Sequence, residues 1–182
     1  GQADFLAPEG YTPVYRTNAI TRHGEHGNAL LSRWPVVQHR HEDMSDHRLE
    51  QRGLLHVTLQ VQAREVHVIV VHLGLLPGSR IRQTQQLHDF IEREVPADAP
   101  LLVAGDFNDW GNAVARMMAT VGLHTNEGRP HPTYPSRLPL VQLDHVYARG
   151  MHRVATHVPR GPIWGRMSDH LPLLVEFAWA AP

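Results

Sequence analysis

Two short acidic motifs stand out as places where this chain could do chemistry. Gly105-Asp106-Phe107-Asn108-Asp109 follows the apolar run Leu101 to Ala104 and sets a carboxylate and an amide two residues apart, a spacing that in extended chain puts both on one side. Such a pair suits a metal-bound water and a phosphate oxygen. Gly, Asp and Asn are also ordinary turn formers, so an isolated G-D-x-N reads first as a tight turn, and its place behind an apolar run is what favours a site. Ser168-Asp169-His170 comes just before the apolar stretch Leu171 to Phe177. It sets an acid beside an imidazole, as suits a metal ligand next to a group that moves a proton or steadies a phosphate. The same tripeptide at Ser45-Asp46-His47 has no strand directly after it and reads as a solvated loop.

Single residues within or at the end of apolar runs extend the set. Asp144 interrupts the strand-like run Val141 to Tyr147; it either faces outward from a half-exposed strand or is a buried carboxylate that needs an imidazole partner. His72 ends the β-branched run Val66 to His72 and is either a satisfied structural group or part of the same site. His23, Glu25 and His26, and likewise His39, His41 and Glu42, have metal-ligand side chains but lie in Gly-rich or polar stretches that read as loops. Trp164 and Met167 would form an apolar rim for substrate or pack their loop down.

The elements that must position these groups are mostly strands. Val66 to His72 and Leu101 to Ala104 read as buried strands, with a helix between them from Ser79 as its cap to about Val95. Further strands are expected at Gly27 to Ser32, Leu54 to Gln62, Val141 to Tyr147 and Leu171 to Phe177, and a short helix at Asn112 to Val121. The class is a strand-rich α/β domain. In such sheets ligands gather in the crevice at strand ends, where most of the polar candidates fall.

Composition removes the competing chemistries. The chain has no cysteine, so thiolate nucleophiles and Cys-ligated zinc are excluded. All 17 basic residues are arginine, which excludes a Schiff-base or P-loop lysine. None of the five serines sits in G-x-S-x-G. A formal charge of −1 argues against a broad basic field for tight nucleic-acid binding. No apolar run reaches the roughly eighteen residues of a membrane span, and no signal peptide is visible, so the expectation is a cytoplasmic protein without stable membrane insertion.

Taken in order, Gly27-Asn28-Ala29-Leu30-Leu31-Ser32-Arg33-Trp34-Pro35, Val71-His72-Leu73-Gly74-Leu75, Gly105-Asp106-Phe107-Asn108, Leu143-Asp144-His145 and Ser168-Asp169-His170 closely resemble the endonuclease/exonuclease/phosphatase family, over most of the chain. The nearest likeness is to small bacterial metal-dependent hydrolases. The resemblance implies a four-layer sandwich: two mixed β-sheets packed face to face with flanking helices. It implies Mg2+ or Mn2+ as cofactor and hydrolysis of a phosphoester, in particular a phosphodiester, with nucleic acid, phospholipid or a small phosphodiester as substrate. Carried over by position, Asp106 would orient or deprotonate the attacking water and Asn108 would hold it or a phosphate oxygen. His170, its ring fixed by Asp144, would stabilise the phosphoryl group or move a proton. His72 would act near the leaving group, and Asp169, with Asp106 and Asn108, would face the metal.

One departure shapes the expectations. The family opens with a strand carrying an Asn and a strand ending in Gln-Glu, whose carboxylate is a principal metal ligand. This sequence starts at Gly1, and Glu9 sits in a Pro-Glu-Gly turn. A single N-terminally truncated domain over residues 1–182 is therefore expected, with those strands lacking, weak or absent magnesium binding, impaired turnover, and self-association through uncovered sheet surface. The rival reading is a noncatalytic interaction or scaffold domain that kept the fold.

Overall fold

The computed structural model describes residues 2–22, 24–46, 50–125 and 128–180. His23 and His47, named above as loop histidines, lie outside them. In chain order the elements are α1 (Gln2–Leu6), β1 (Thr12–Thr21), β2 (Gly24–Ser32), β3 (Val36–Asp43), β4 (Gly53–Val61), β5 (Arg64–His72) and α2 (Pro77–Glu94). They continue with β6 (Leu101–Asp106), α3 (Ala113–Thr120), β7 (Asp144–Arg149), β8 (Met151–His157), α4 (Trp164–Met167) and β9 (Leu174–Trp179).

The near-continuous apolar runs of β4, β5 and β6 are those of strands buried on both faces, and they take the middle of a five-stranded sheet ordered β3-β4-β5-β6-β7. β5 and β6 are parallel and joined by the α2 crossover; the other neighbours are antiparallel. Alternation along each strand divides its side chains between two cores. Leu54, Ile69, Val71, Leu101 and Val103 face Leu87, Phe90 and Ile91 of α2 and Val114 and Met118 of α3. Leu55, Val57, Leu59, Val66 and Val68 face the opposite way, where Val14 and Leu30 of the antiparallel pair β1-β2 and Met151 and Trp179 of the pair β8-β9 close over them.

This is the expected mixed α/β architecture of packed sheets, with one difference: opposite the five-stranded sheet lie two separate two-stranded pairs among the described residues. Three further details differ from the sequence reading. His39, His41 and Glu42 lie on the edge strand β3, which is mostly exposed, and Glu25 and His26 lie on β2. α2 starts at Pro77, whose fixed φ suits a first helical position, while Ser79 is buried inside the helix and its hydroxyl donates to Asp46. β9 begins only at Leu174. Among the described residues no helix is long and apolar enough to cross a membrane.

Candidate active site

Strand register builds the centre of the site. In the parallel β5-β6 ladder His72 is the partner of Asp106, and in the antiparallel β6-β7 ladder Asp106 is the partner of Asp144. By alternation all three side chains leave the face opposite α2, at the edge where β5 and β6 end and β7 begins. Gly105 lets β6 approach β5 this closely: its φ is +150°, and a Cβ there would lie 1.8 Å from the Val71 carbonyl oxygen.

Asp106 sits between two imidazoles, its Oδ2 3.5 Å from His72 Nε2 and 3.7 Å from His170 Nε2. Its Oδ1 accepts the Asn108 backbone N–H at 2.9 Å. Burial raises the Asp106 pKa, against the opposing pull of that N–H and of His72. Asn108 is not the extended i+2 neighbour the spacing implied. Its φ is +48°, so the segment after Asp106 is a turn, and the turn-forming property of Gly, Asp and Asn serves the site rather than competing with it. The Asn108 side-chain nitrogen donates to the Leu73 carbonyl at 2.9 Å, which leaves Oδ1 and the second N–H as the amide's groups for a ligand. Phe107, fully buried and edge-on to Tyr147 with centroids 5.0 Å apart, pins the turn to the core. Asp109 is structural: its carboxylate accepts the backbone N–H groups of Gly111, Ala113 and Val114 at the start of α3.

The imidazole partner sought for Asp144 is His170, whose Nδ1 lies 2.7 Å from Asp144 Oδ2. The Thr133 hydroxyl donates to the same oxygen. Burial, the largest single influence on His170, pushes its pKa down. The hydrogen bond and charge of Asp144, with the charges of Asp106 and Asp169, outweigh it and leave the pKa raised. His72 goes the other way, lowered by burial and then by the nearby Arg52 guanidinium. The two imidazoles are thus shifted in opposite directions, the kind of division that acid–base chemistry uses.

His72, Asp106, Asn108, Asp144, Asp169 and His170 all line one cleft of about 470 Å³, together with Arg52, Trp110 and Tyr134. Residues 1–170 match the family model described as Endonuclease/Exonuclease/phosphatase family. The chain belongs to this family. It is 35% identical over 181 residues to the uncharacterized protein YbhP of Escherichia coli strain K12, an alignment that takes in 95% of this chain and 71% of YbhP. Among solved structures, a conserved protein of unknown function from Enterococcus faecalis V583 matches with a TM-score of 0.78 at 20% identity, over 93% of this chain and 77% of that one. The human Nocturnin catalytic domain with bound sulfate matches at 0.71 and 18% identity, over 94% and 73%. At these identities the structural likenesses speak to the fold.

Members of the endonuclease/exonuclease/phosphatase family generally hydrolyse phosphoesters with a divalent metal, and this donor set fits one. The Asp106, Asp144 and His170 ligand atoms all lie within 4.8 Å of one another. Two carboxylates this close repel, and a dication between them offsets that repulsion. Of the set expected from sequence, Asp106, Asn108 and Asp169, only Asp106 belongs to this tight group. Asp169 lies exposed at the rim, its backbone carbonyl accepting the Ser136 N–H at 2.7 Å. The other such grouping among the described residues, His88, Asp89 and Glu92, lies on α2.

Sequence reasoning missed Thr133, Tyr134 and Arg52. Thr133 and Tyr134 lie in the proline-punctuated segment His131 to Ser136, where a threonine and an aromatic between prolines are the only signal. The Tyr134 ring lies 4.9 Å from that of His170. Arg52, just before β4, carries no sequence signal.

Proposed function

We propose that the protein is a divalent-metal phosphodiesterase that attacks phosphorus in line with an activated water. The Asp144–His170 hydrogen bond carries this reading. It holds the His170 ring so that Nε2 points toward Asp106 and the cleft, with a raised pKa that keeps the ring able to donate to a phosphoryl oxygen. Asp106, at the centre, accepts the proton or the hydrogen bond of the attacking water. Asn108 offers an acceptor and a donor from a rigid turn. His72, its pKa lowered by burial, hydrogen-bonds an oxygen on the leaving side. Asp106, Asp144, Asn108 and Asp169 would supply hard oxygen donors to Mg2+ or Mn2+, and the bound ion would neutralise phosphate charge and lower the pKa of the water. An acid–imidazole pair beside a second carboxylate and a second imidazole is more apparatus than a noncatalytic scaffold needs.

The test is manganese-dependent hydrolysis of bis-p-nitrophenyl phosphate, plasmid DNA, RNA and phospholipid by wild type, Asp106→Asn and His170→Ala. Turnover of at least one substrate by wild type, lost in both folded variants, is expected. Absence of turnover on all four with manganese bound, or full activity in either variant, would sink the assignment.

A further inference from the structure

A second groove, of about 430 Å³, opens beside the cleft between the loop at residues 135–140 and the segment 160–168, which contains α4. Two hydrogen bonds tie these loops together: Ser136 Oγ donates to the Ser168 carbonyl and the Ser136 N–H to that of Asp169, each at 2.7 Å. Arg137, Arg160 and Arg166 line the groove, all exposed, and among the described residues none of them pairs with a carboxylate. A contiguous depression, shared through Ser136, Arg137 and Arg166, leads to Asp169 and so to the catalytic cleft. The same two segments expose three large apolar side chains, Leu138 (65%), Ile163 (64%) and Met167 (70%), and Met167 lines the contiguous depression together with Arg137 and Arg166. Isolated exposed aliphatics need no explanation, but three on two hydrogen-bonded segments that also carry three exposed arginines set apolar surface beside positive charge, a combination that water solvates poorly.

We propose that this rim docks the protein onto an anionic lipid bilayer, with the cleft turned toward the headgroups. The apolar side chains enter the boundary between headgroups and acyl chains, and the guanidinium groups meet lipid phosphates. A nucleic-acid strand would match the arginines but leave the aliphatics unused, and among the described residues no aromatic ring lines the groove for a base to stack on. The substrate class this implies, a phospholipid or its headgroup phosphodiester, rests on the catalytic reading above; the docking itself does not.

Sedimentation of the protein with vesicles of phosphatidylglycerol and phosphatidylcholine in equal parts, and of phosphatidylcholine alone, tests the docking. An arginine near an anionic surface is worth roughly fivefold in partition, so the three together are worth about a hundredfold. Binding to the mixed vesicles is expected at low salt. It should weaken at high salt, and should fall about a hundredfold in the combined Arg137→Gln, Arg160→Gln, Arg166→Gln variant and at least about tenfold in Leu138→Asp with Ile163→Asp. Both variants should still hydrolyse soluble bis-p-nitrophenyl phosphate. Failure of wild type to bind the mixed vesicles overturns the docking, as does binding that neither variant weakens. So does wild type ignoring vesicles while binding a single-stranded oligonucleotide through these arginines. Vesicle binding without any phosphodiester hydrolysis would leave the docking standing and remove the catalytic reading.

Discussion

Asp144→Asn separates an oriented imidazole from a mere cluster of polar groups. The Asp144–His170 hydrogen bond is 2.7 Å long, with both side chains 23% exposed, so solvent screens it only in part. A charge-assisted bond of this kind is worth about 1.5–3 kcal/mol, and its loss from the transition state corresponds to a fall in kcat of about 10- to 150-fold. KM should move less, because the ring acts on charge that develops during reaction. The pH profile gives an independent reading. The hydrogen bond and charge of Asp144 raise the His170 pKa against burial; without them the ring loses its proton at lower pH, so the alkaline limb of kcat should shift to lower pH. The assay is hydrolysis of bis-p-nitrophenyl phosphate across pH at saturating Mn2+, with a thermal melt to confirm folding. Retention of more than about half of kcat with an unmoved alkaline limb would refute the orienting role. A rise in the manganese concentration needed for half-maximal activity, beside the fall in kcat at saturation, would show that Asp144 holds the ion as well as orienting the ring.

Asp169→Asn should raise the manganese concentration for half-maximal activity by roughly tenfold or more if the rim carboxylate helps hold the ion; an unchanged manganese titration would confine Asp169 to the rim. Gly105→Ala should lower Tm by roughly 10 °C in a melting experiment, since the new methyl meets a backbone oxygen in a conformation unfavourable to L residues and a cost of about 3 kcal/mol or more follows; a Tm within about 3 °C of wild type would show that β6 can yield. His56 is buried with its Nε2 2.9 Å from His67 Nδ1, and burial, then His67, lowers its pKa to about 4. The unfolded chain takes up that proton first as pH falls. Stability from this group is therefore complete above the ordinary value of about 6.5 and declines toward pH 4, by at most about 3 kcal/mol and nearer 2 after allowance for water entry. Urea unfolding of wild type and His56→Gln should diverge over this range, and parallel stability profiles would count against it.

How much of this was legible in the sequence depended on where each strand's faces point. β4, β5 and β6 are covered on both faces, so their apolar runs are continuous and stood out. β3 is an edge strand whose Gln38, His39, Arg40 and His41 are all exposed, so it carries too little apolar signal to distinguish it from a loop. β8 alternates half-buried with exposed residues and was missed for the same reason. In the site, the acids and imidazoles announced themselves by type and by their place at the ends of apolar runs. Asn108 reaches the site by a different route from the one its spacing implies, because the backbone there turns left-handed instead of running extended. Thr133 and Tyr134 reach His170 only through the packing of two loops, which no local pattern encodes.

Register is the part that no motif carries, and it decides whether Asp144 meets His170 at all. β7 pairs Tyr147 with Val103 and thereby Asp144 with Asp106. Tyr147 is buried against Phe107 on the helix side, so Asp144, three residues earlier, leaves the opposite face toward the cleft. A slip of one residue would carry Tyr147 out of the core and swing Asp144 toward α3, a reversal that follows from the two-residue period of a strand. The side chain that enforces this alignment is therefore an aromatic with no part in the reaction. Shrinking Tyr147 should disturb the Asp144–His170 geometry more than shrinking Trp110, which lines the cleft but is 60% exposed.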